Sequence, residues 1–229
     1  ARFFVSKENI YNDIITITGN DVNHIKNVLR LKPGDQIDIC DGSSNDYIAV
    51  IEALEKNEVK TKILDRIGNQ NESEIKVMLF QGIPKSDKMD TIIQKNVELG
   101  IHSIYPVITD RTVVKIDRGT SAVKKTERWQ RIALEAAKQC QRGIVPSVGN
   151  MLSFKEALKT AVNNSELSII PCLREKDNTM RRVINNRSLK SVSVFIGPEG
   201  GFSDEEADLA KKSGVVPVTL GPRVLRTET

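Results

Sequence analysis

The feature that most constrains the fold of this chain is a regular alternation of apolar, strand-like runs and amphipathic, helix-like segments from residue 74 onwards. The predicted strands are residues 75–81, 101–107, 168–172, 192–196 and 215–220. Helical spacing predicts helices over residues 87–99, 127–141 and 179–186, and capping boxes predict two more that begin at Ser153 and Ser203. Because strands that alternate with helices form parallel sheets covered on both faces, we expect an α/β domain.

The first part of the chain has a different pattern. Short strand-like runs at residues 14–17, 36–40 and 47–51 are separated by turn residues, and one short helix is expected over residues 20–31. Residues 68–73 are polar and typical of a flexible linker. We therefore predict two domains, a small β-barrel over residues 1–70 and an α/β domain over residues 71–229.

Composition argues against several classes of protein. No apolar run in the sequence approaches the roughly 18 residues of a membrane span, and the N-terminus lacks the apolar core of a secretion signal. Cys40, Cys140 and Cys172 lie far apart and form neither a disulfide framework nor a C-x-x-C metal pair. The odd number and wide spacing of these cysteines indicate the reducing cytoplasm as the expected location. With only two histidines, His24 and His102, we expect no metal site.

The net charge of +4 is unevenly distributed along the sequence. Residues 1–70 contain nine basic and eleven acidic residues, whereas residues 71–229 contain 25 basic and 19 acidic residues. Basic residues are densest between Asp110 and Arg142, where nine of them accompany four acidic residues. Such a stretch attracts phosphate groups, although it is also typical of a solvated helix face.

The sequence IGPEGGF at residues 196–202 joins a predicted strand to a capped helix. Ligands of parallel α/β sheets bind at the carboxyl ends of strands, and glycines allow backbone groups to approach a ligand closely. The loop lacks the Gly-Lys-Ser/Thr of a Walker A loop and the G-x-G-x-x-G dinucleotide pattern, and Glu199 disfavours a phosphate. A neutral or cationic ligand fits the loop better, and a tight turn without a ligand is the structural alternative.

Two further predicted strands end in segments with polar and glycine residues, PCLRE at residues 171–175 and LGPRVLRTET at residues 220–229. Arg223 and Arg226 directly follow a buried strand, where their guanidinium groups could meet an anionic substrate. Alternatively, these arginines form ion pairs with Glu228 or with other nearby acidic residues.

Together, these motifs resemble the signature of the RsmE family, methyltransferases of the SPOUT class that act on N3 of a uridine in 16S ribosomal RNA. The resemblance is most specific at residues 196–202 and 220–229, and it extends to residues 88–101, 110–115, 129–137 and 139–146. Residues 2–4 and 24–30 resemble the PUA-like RNA-binding domain of the family. The resemblance therefore covers nearly the whole chain.

This resemblance implies a SPOUT-type α/β trefoil knot with a parallel sheet, preceded by a small PUA-like β-barrel. It also implies S-adenosylmethionine as the cofactor and a homodimer in which each site lies close to the partner subunit. The cofactor-binding residues carried over from the family are Leu173, Ile196, Gly197, Gly200, Gly201, Leu220, Gly221, Val224 and Leu225. Family members continue beyond the Arg-Thr-Glu-Thr motif into an apolar helix, so a chain that ended at Thr229 is expected to have an incomplete pocket.

The chemistry of N3 methylation suggests roles for charged residues. Uridine N3 carries a proton and is a poor nucleophile at neutral pH, so the enzyme must align it with the methyl group and stabilise negative charge on the uracil. We predict that Arg223 or Arg226 stabilises this charge or positions a phosphate, and that Glu199 orients the base or accepts the proton. Alternatively, Glu199 holds only the N–H groups of its own loop. The predicted RNA contacts are Arg2, Arg30, Arg111, Lys115 and Arg142.

Two other functions stay open at this point. The chain could be a non-catalytic RNA-binding or ribosome-assembly protein, or a SPOUT enzyme that acts on another RNA, such as transfer RNA. A cofactor pocket at the strand ends distinguishes a methyltransferase from a binding module, because a binding module needs no such pocket. The second alternative differs from the main hypothesis only in its substrate.

Overall fold

The computed structural model describes residues 1–113, 120–185 and 187–229. Contacts divide the chain into two compact units. The first unit contains Ala1–Glu72 and Ala137–Val145, and the second contains Ser73–Ala136 and Pro146–Thr229. The sequence predicts a boundary near residue 70, but it does not predict that residues 137–145 return to the first unit.

The first unit is built on a mixed sheet of six strands within the described residues. The strands are β1 (Arg2–Phe4), β2 (Ile10–Tyr11), β3 (Ile14–Thr18), β4 (Gln36–Cys40), β5 (Asn45–Leu54) and β6 (Glu58–Gly68). Their order is β1-β4-β5-β6-β3-β2, with β1 parallel to β4 and the other neighbours antiparallel. Alternating isoleucines, such as Ile15 and Ile17, are buried on one face, which is why these runs form strands with one face in the core.

The predicted helix over residues 20–31 is present as two short pieces. Helix α1 (Asn20–Asn23) continues directly into a π-helical turn, His24–Val28. Ile25 is fully buried in the core of the first unit together with Phe3. This buried side chain explains why the segment lies against the sheet.

The second unit contains a parallel sheet, as the alternation of elements predicted. Its described strands are β7 (Lys76–Gly82), β8 (Ser103–Ile108), β9 (Ser147–Val148), β10 (Leu152–Ser153), β11 (Leu167–Pro171), β12 (Ser191–Ile196) and β13 (Val216–Val218). Their order is β10-β8-β7-β12-β11-β13, and β9 pairs with β8. Each pairing is parallel, so the carboxyl ends of β7, β12, β11 and β13 lie side by side at one edge.

Five helices accompany this sheet in the described part of the chain. They are α2 (Lys88–Glu98), α3 (Thr120–Gln139), α4 (Phe154–Asn164), α5 (Met180–Ile184) and α6 (Asp204–Lys212). Both predicted capping boxes are confirmed, because Ser153 and Ser203 each accept a hydrogen bond from the third helical residue, whose glutamate accepts one in return. Helix α3 is longer than predicted at its N-terminus.

The core of the second unit is aromatic at its centre. The ring of Phe80 on β7 stacks on Tyr105 and Phe195, with centroids 4.9 Å and 4.8 Å away. Because these three residues lie on adjacent strands, the stack fixes the lateral packing of the sheet.

The observed architecture confirms a parallel α/β sheet preceded by a small β domain. In the first unit, β1 and β2 are the edge strands of the sheet. The trefoil knot of the second unit stays a prediction. None of the helices in the described ranges combines the length and the apolar character of a membrane-crossing segment.

Candidate active site

The glycine-rich loop after β12 packs so closely against its surroundings that only glycine fits at two positions. A Cβ atom on Gly197 would lie 2.9 Å from the backbone of Gly201. On the neighbouring strand β7, a Cβ atom on Gly82 would lie 2.5 Å from the Pro198 ring. The glycines therefore allow the loop to fold back on itself and onto β7.

A chain of buried hydrogen bonds connects this loop to β7 and to the C-terminal motif. The side-chain amide of Gln81, which is almost fully buried, donates to the hydroxyl of Thr227 at 3.0 Å and to the carbonyl of Gly82 at 2.9 Å. The Thr227 hydroxyl donates to the carbonyl of Gly197 at 2.6 Å. Residues from three separate parts of the sequence thereby fix the position of the Gly197 carbonyl.

The carboxylate of Glu199 is held by groups from the segment after β7. The Lys85 backbone N–H donates to both of its oxygens, at 3.2 Å and 3.3 Å, and the Lys88 ammonium lies 3.2 Å away. Burial raises the pKa of the Glu199 carboxyl, but the N–H groups of Glu199 and Lys85 and the Lys88 ammonium outweigh burial and hold this pKa below its ordinary value. A carboxylate with a lowered pKa is a weak proton acceptor, so these contacts favour the alternative in which Glu199 organises its own loop.

Arg111, predicted as an RNA contact, also supports the loop. Its guanidinium donates to the carbonyl of Gly200 at 2.6 Å. The preceding residue, Asp110, accepts a hydrogen bond from the Ser203 hydroxyl at 2.7 Å and donates its backbone N–H to Glu206. The segment after β8 therefore holds both ends of the turn from the loop into α6, and the exposed part of the Arg111 side chain is still available for RNA.

The residues predicted to bind the cofactor lie at the ends of β11, β12 and β13, which are adjacent strands. Leu173 is 79% exposed, and Leu220 and Leu225 are each 44% exposed. Within the described residues, the backbone N–H groups of these three leucines donate no hydrogen bond. Exposed apolar side chains beside free backbone donors fit a ligand such as S-adenosylmethionine, which has an apolar adenine face and several hydrogen-bond acceptors.

The other predicted cofactor residues lie in the same segments. Ile196 is the last residue of β12, and Gly201 and Gly221 have φ values of 68° and 112°, a region that favours glycine. Val224 is 77% exposed. Which of these groups contacts a cofactor stays a prediction.

The two predicted catalytic arginines are solvent-exposed. Arg226 lies 4.0 Å from Glu228 with 83% of its side chain exposed, which makes this a weak ion pair. Arg223 is exposed and makes no side-chain hydrogen bond or ion pair within the described residues. Both guanidinium groups are therefore accessible to an anionic substrate.

Comparison with known proteins identifies the family. Residues 71–229 match the profile of the RNA methyltransferase domain, and residues 17–64 match the RNA methyltransferase PUA domain. Ribosomal RNA small subunit methyltransferase E of Bacillus subtilis is 35% identical over 218 residues, covering 93% of this chain and 85% of the relative. This chain belongs to the RsmE family.

Other RsmE proteins agree with this assignment along the whole chain. The relative from Mesomycoplasma hyopneumoniae is 33% identical and is covered to 94%, with 100% of this chain aligned. The crystal structure of the Neisseria gonorrhoeae protein bound to S-adenosyl methionine superposes with a TM-score of 0.87 at 32% identity. That match covers 99% of this chain and 91% of the other.

In this RsmE chain, two of the predicted RNA contacts are engaged inside the first unit. The Arg2 guanidinium donates to both carboxylate oxygens of Asp46, at 3.0 Å and 2.6 Å. Arg142 is 4% exposed and forms an ion pair of 2.6 Å with Glu72. Their charges are compensated within the same unit, which gives both arginines a structural role, and their contact with RNA stays a prediction.

The remaining predicted RNA contacts have different outcomes. Arg30 is exposed and has a φ of 55°, and it stays a predicted contact. Lys115 lies outside the described residues. Helix α3 carries part of the basic stretch predicted between Asp110 and Arg142, and the structure shows that some of these residues share one surface. An open depression of about 410 Å³ is lined by Thr120, Ser121, Lys124, Lys125 and Arg128.

Several residues that organise the site of this RsmE chain are not predicted from the sequence. Gln81, Lys88 and Thr227 hold the glycine-rich loop, although none of them was predicted as a site residue. A signal existed for Gln81, because it is a polar residue at the carboxyl end of an otherwise apolar strand. Among the described residues, no cluster of histidine, cysteine, aspartate and glutamate is arranged to hold a metal ion.

Proposed function

We propose that this chain is an S-adenosylmethionine-dependent methyltransferase that methylates N3 of a uridine in 16S ribosomal RNA. The observation that carries the proposal lies at the carboxyl ends of adjacent parallel strands. There the tightly packed glycine-rich loop lies next to exposed leucines whose backbone N–H groups donate no hydrogen bond to the part of the chain that the structure describes. Membership of the RsmE family supports the same substrate, because relatives carry the name ribosomal RNA small subunit methyltransferase E. The Neisseria gonorrhoeae protein, whose structure contains S-adenosyl methionine, supports the same cofactor.

The cofactor, when bound, supplies an electrophilic methyl group. In this proposal it is held by backbone groups and side chains of the three strand ends, namely those of Leu173, Ile196, Gly197, Gly200, Gly201, Leu220, Gly221, Val224 and Leu225. The hydrogen bonds from Gln81 and Thr227 keep the Gly197 carbonyl in place before any ligand arrives. A site that is already organised loses less conformational entropy on binding.

An arginine stabilises the negative charge that forms on the uracil as its N3 proton passes to a solvent water molecule. Arg223 and Arg226 are suited to this role because both are exposed at the same edge of the sheet as the glycine-rich loop. A cation beside the uracil lowers the free energy of its deprotonated form and so makes N3 a better nucleophile. Glu199 in this scheme holds the loop, since its oxygens already accept hydrogen bonds from Lys85.

RNA binding in this proposal uses exposed basic residues of both units. Arg30, Arg111 and the lysines that line the depression on α3 are exposed or half-buried, and phosphate contacts supply most of the affinity for RNA. A homodimer and a cytoplasmic location belong to the same proposal, since the substrate is ribosomal RNA and the family resemblance implies a dimer.

Mass spectrometry of digested RNA tests this function. A bacterial strain without its own family member is complemented with the chain, with Arg223→Ala, or with the exposed-surface control Arg187→Ala. We expect N3-methyluridine in 16S ribosomal RNA with the unchanged chain and the control, and a loss of about tenfold or more in methylation rate with Arg223→Ala. N3-methyluridine in another RNA would identify a different substrate. Binding of the small subunit without any methylation would instead identify a non-catalytic RNA-binding protein.

A further inference from the structure

The ammonium group of Lys88 connects the glycine-rich loop with the C-terminal motif. Lys88 is the first residue of α2, and its Nζ lies 3.2 Å from Oε1 of Glu199 and 3.3 Å from Oε2 of Glu228. Glu199 belongs to the loop after β12, whereas Glu228 belongs to the Arg-Thr-Glu-Thr motif. One cation therefore pairs with two carboxylates that come from the two segments most specific to the RsmE family.

This arrangement is partly shielded from water. The side chains of Lys88, Glu199 and Glu228 are 34%, 30% and 24% exposed. The Oε2 atom of Glu228 is itself buried and accepts no hydrogen bond among the described residues, so its compensation comes from the Lys88 charge. The Glu199 carboxylate has the largest effect on the pKa of Lys88 and raises it. Burial lowers this pKa and the Glu228 carboxylate raises it further, so the net shift is upward and the ammonium stays charged at neutral pH.

Neighbouring cations do not replace Lys88. Lys85 contributes its backbone N–H to Glu199, and Arg226 is 4.0 Å from Glu228 and largely exposed. Because the Glu199 and Glu228 oxygens lie within 3.3 Å of the same nitrogen, they are close enough to repel each other once that nitrogen is removed. Such repulsion would separate the loop from the C-terminal motif.

We propose that Lys88 is a positioning residue that holds the glycine-rich loop and the C-terminal motif at the separation that the cofactor requires. This inference rests on the proposed function, since it concerns the same site. Gln81 and Thr227 connect the same two segments through uncharged hydrogen bonds in which Lys88 takes no part, so we expect them to form in a Lys88 variant as well. The role of Lys88 is therefore to close the site, whereas folding of the unit depends on its apolar core.

The test measures cofactor binding, stability and methylation for a matched set of variants. Lys88→Met keeps the aliphatic stem and removes the charge, and Lys88→Arg keeps the charge. Lys95→Met is the control, because Lys95 lies on the same helix, is 57% exposed at its side chain and pairs with Glu98, three residues away, at 2.7 Å. Isothermal titration calorimetry with S-adenosylmethionine and with S-adenosylhomocysteine gives Kd without any turnover.

We expect Lys88→Met to raise Kd and the KM for S-adenosylmethionine by about three- to tenfold, with a smaller change in kcat, as is reasonable for a partly shielded ion pair. Lys88→Arg should bind within about twofold of the unchanged chain, and Lys95→Met should be unaffected. The cofactor-free melting temperature of Lys88→Met should match that of Lys95→Met. In a Glu228→Gln background the same substitution should weaken binding less, because one of the two repelling charges is already absent.

Two outcomes would overturn the inference. One is an unchanged Kd for Lys88→Met, and the other is an equal loss of binding in the presence and absence of the Glu228 charge. A failure of the proposed function looks different, because the unchanged chain would then bind neither cofactor nor product, or would bind them without methylating ribosomal RNA.

Discussion

At the scale of single residues, the glycine-rich loop shows which site features are readable from sequence. The strand-glycine-helix pattern at residues 196–202 indicated a close backbone approach, and the structure shows that approach at Gly197. The partners of the loop were not readable in this way. Gln81 and Lys88 are more than a hundred residues away in sequence from the atoms they hold, and only the parallel arrangement of β7 and β12 brings them together.

The substitution Gly197→Ala tests the close packing of the loop. The added Cβ would lie 2.9 Å from the Gly201 backbone, so the loop must shift, and the carbonyl that Thr227 holds must move with it. We expect the free energy of unfolding to fall by about 1–3 kcal/mol and the affinity for S-adenosylmethionine to fall by about tenfold or more. Chemical denaturation and calorimetry measure these two quantities.

Gly68→Ala is the matched control for that substitution. A Cβ atom at Gly68 meets nothing within 4 Å, so stability and cofactor affinity should stay close to those of the unchanged chain. A Gly197→Ala variant that binds the cofactor as tightly as Gly68→Ala would show that the loop is not the binding element.

At the scale of secondary-structure elements, the sequence predicts features that depend on local hydrogen bonds, but it does not predict features that depend on pairing with distant strands. The capping boxes at Ser153 and Ser203 were predicted because all of their hydrogen bonds lie within four residues. The two-residue strands β9 and β10 were missed, because pairing with β8 defines them rather than any pattern of their own. The π-helical turn His24–Val28 was likewise read as ordinary helix, since its apolar spacing differs little from that of an α-helix.

Ser153 and Ser203 both cap helices, but only the Ser203 cap is connected to the glycine-rich loop, so a comparison of the two tests how the loop is supported. Ser153 bonds within its own capping box, whereas the Ser203 hydroxyl also donates to Asp110, which precedes the arginine that holds Gly200. Ser153→Ala should cost about 1 kcal/mol, the usual value for a lost N-cap. Ser203→Ala should cost about 1–3 kcal/mol, because it also leaves a carboxylate oxygen without its donor.

Urea denaturation of both serine variants checks this expectation, with cofactor titration of the same samples. Only Ser203→Ala should weaken cofactor binding, since only that cap is connected to the glycine-rich loop. Equal losses of stability, or weaker cofactor binding by Ser153→Ala, would contradict a special role of the Ser203 cap.

At the scale of the whole molecule, the distribution of charge was predictable but its compensation was not. Counting residues correctly located a basic stretch between Asp110 and Arg142, yet the structure divides its members among different tasks. Arg142 is buried against Glu72 in the first unit, to which residues 137–145 return. Arg128 pairs with Asp90 on α2, and Lys124 and Lys125 line the open depression on α3. A charge count cannot show this division because each pairing depends on residues far away in the sequence.

Salt dependence of RNA binding decides whether the α3 depression contacts phosphates. Each phosphate contact contributes about 0.7–0.9 to the slope of the logarithm of the binding constant against the logarithm of the salt concentration. The double substitution Lys124→Gln/Lys125→Gln should therefore reduce the magnitude of that slope by about 1.4–1.8 and weaken binding of a 16S ribosomal RNA fragment. Fluorescence anisotropy over about 50 to 200 mM salt measures the slope. Lys155→Gln/Lys159→Gln removes the same charge from the exposed face of α4 and should change the slope much less. If the two double variants behave alike, the lysines of α3 form an ordinary solvated face, and the RNA path must be sought elsewhere on the protein.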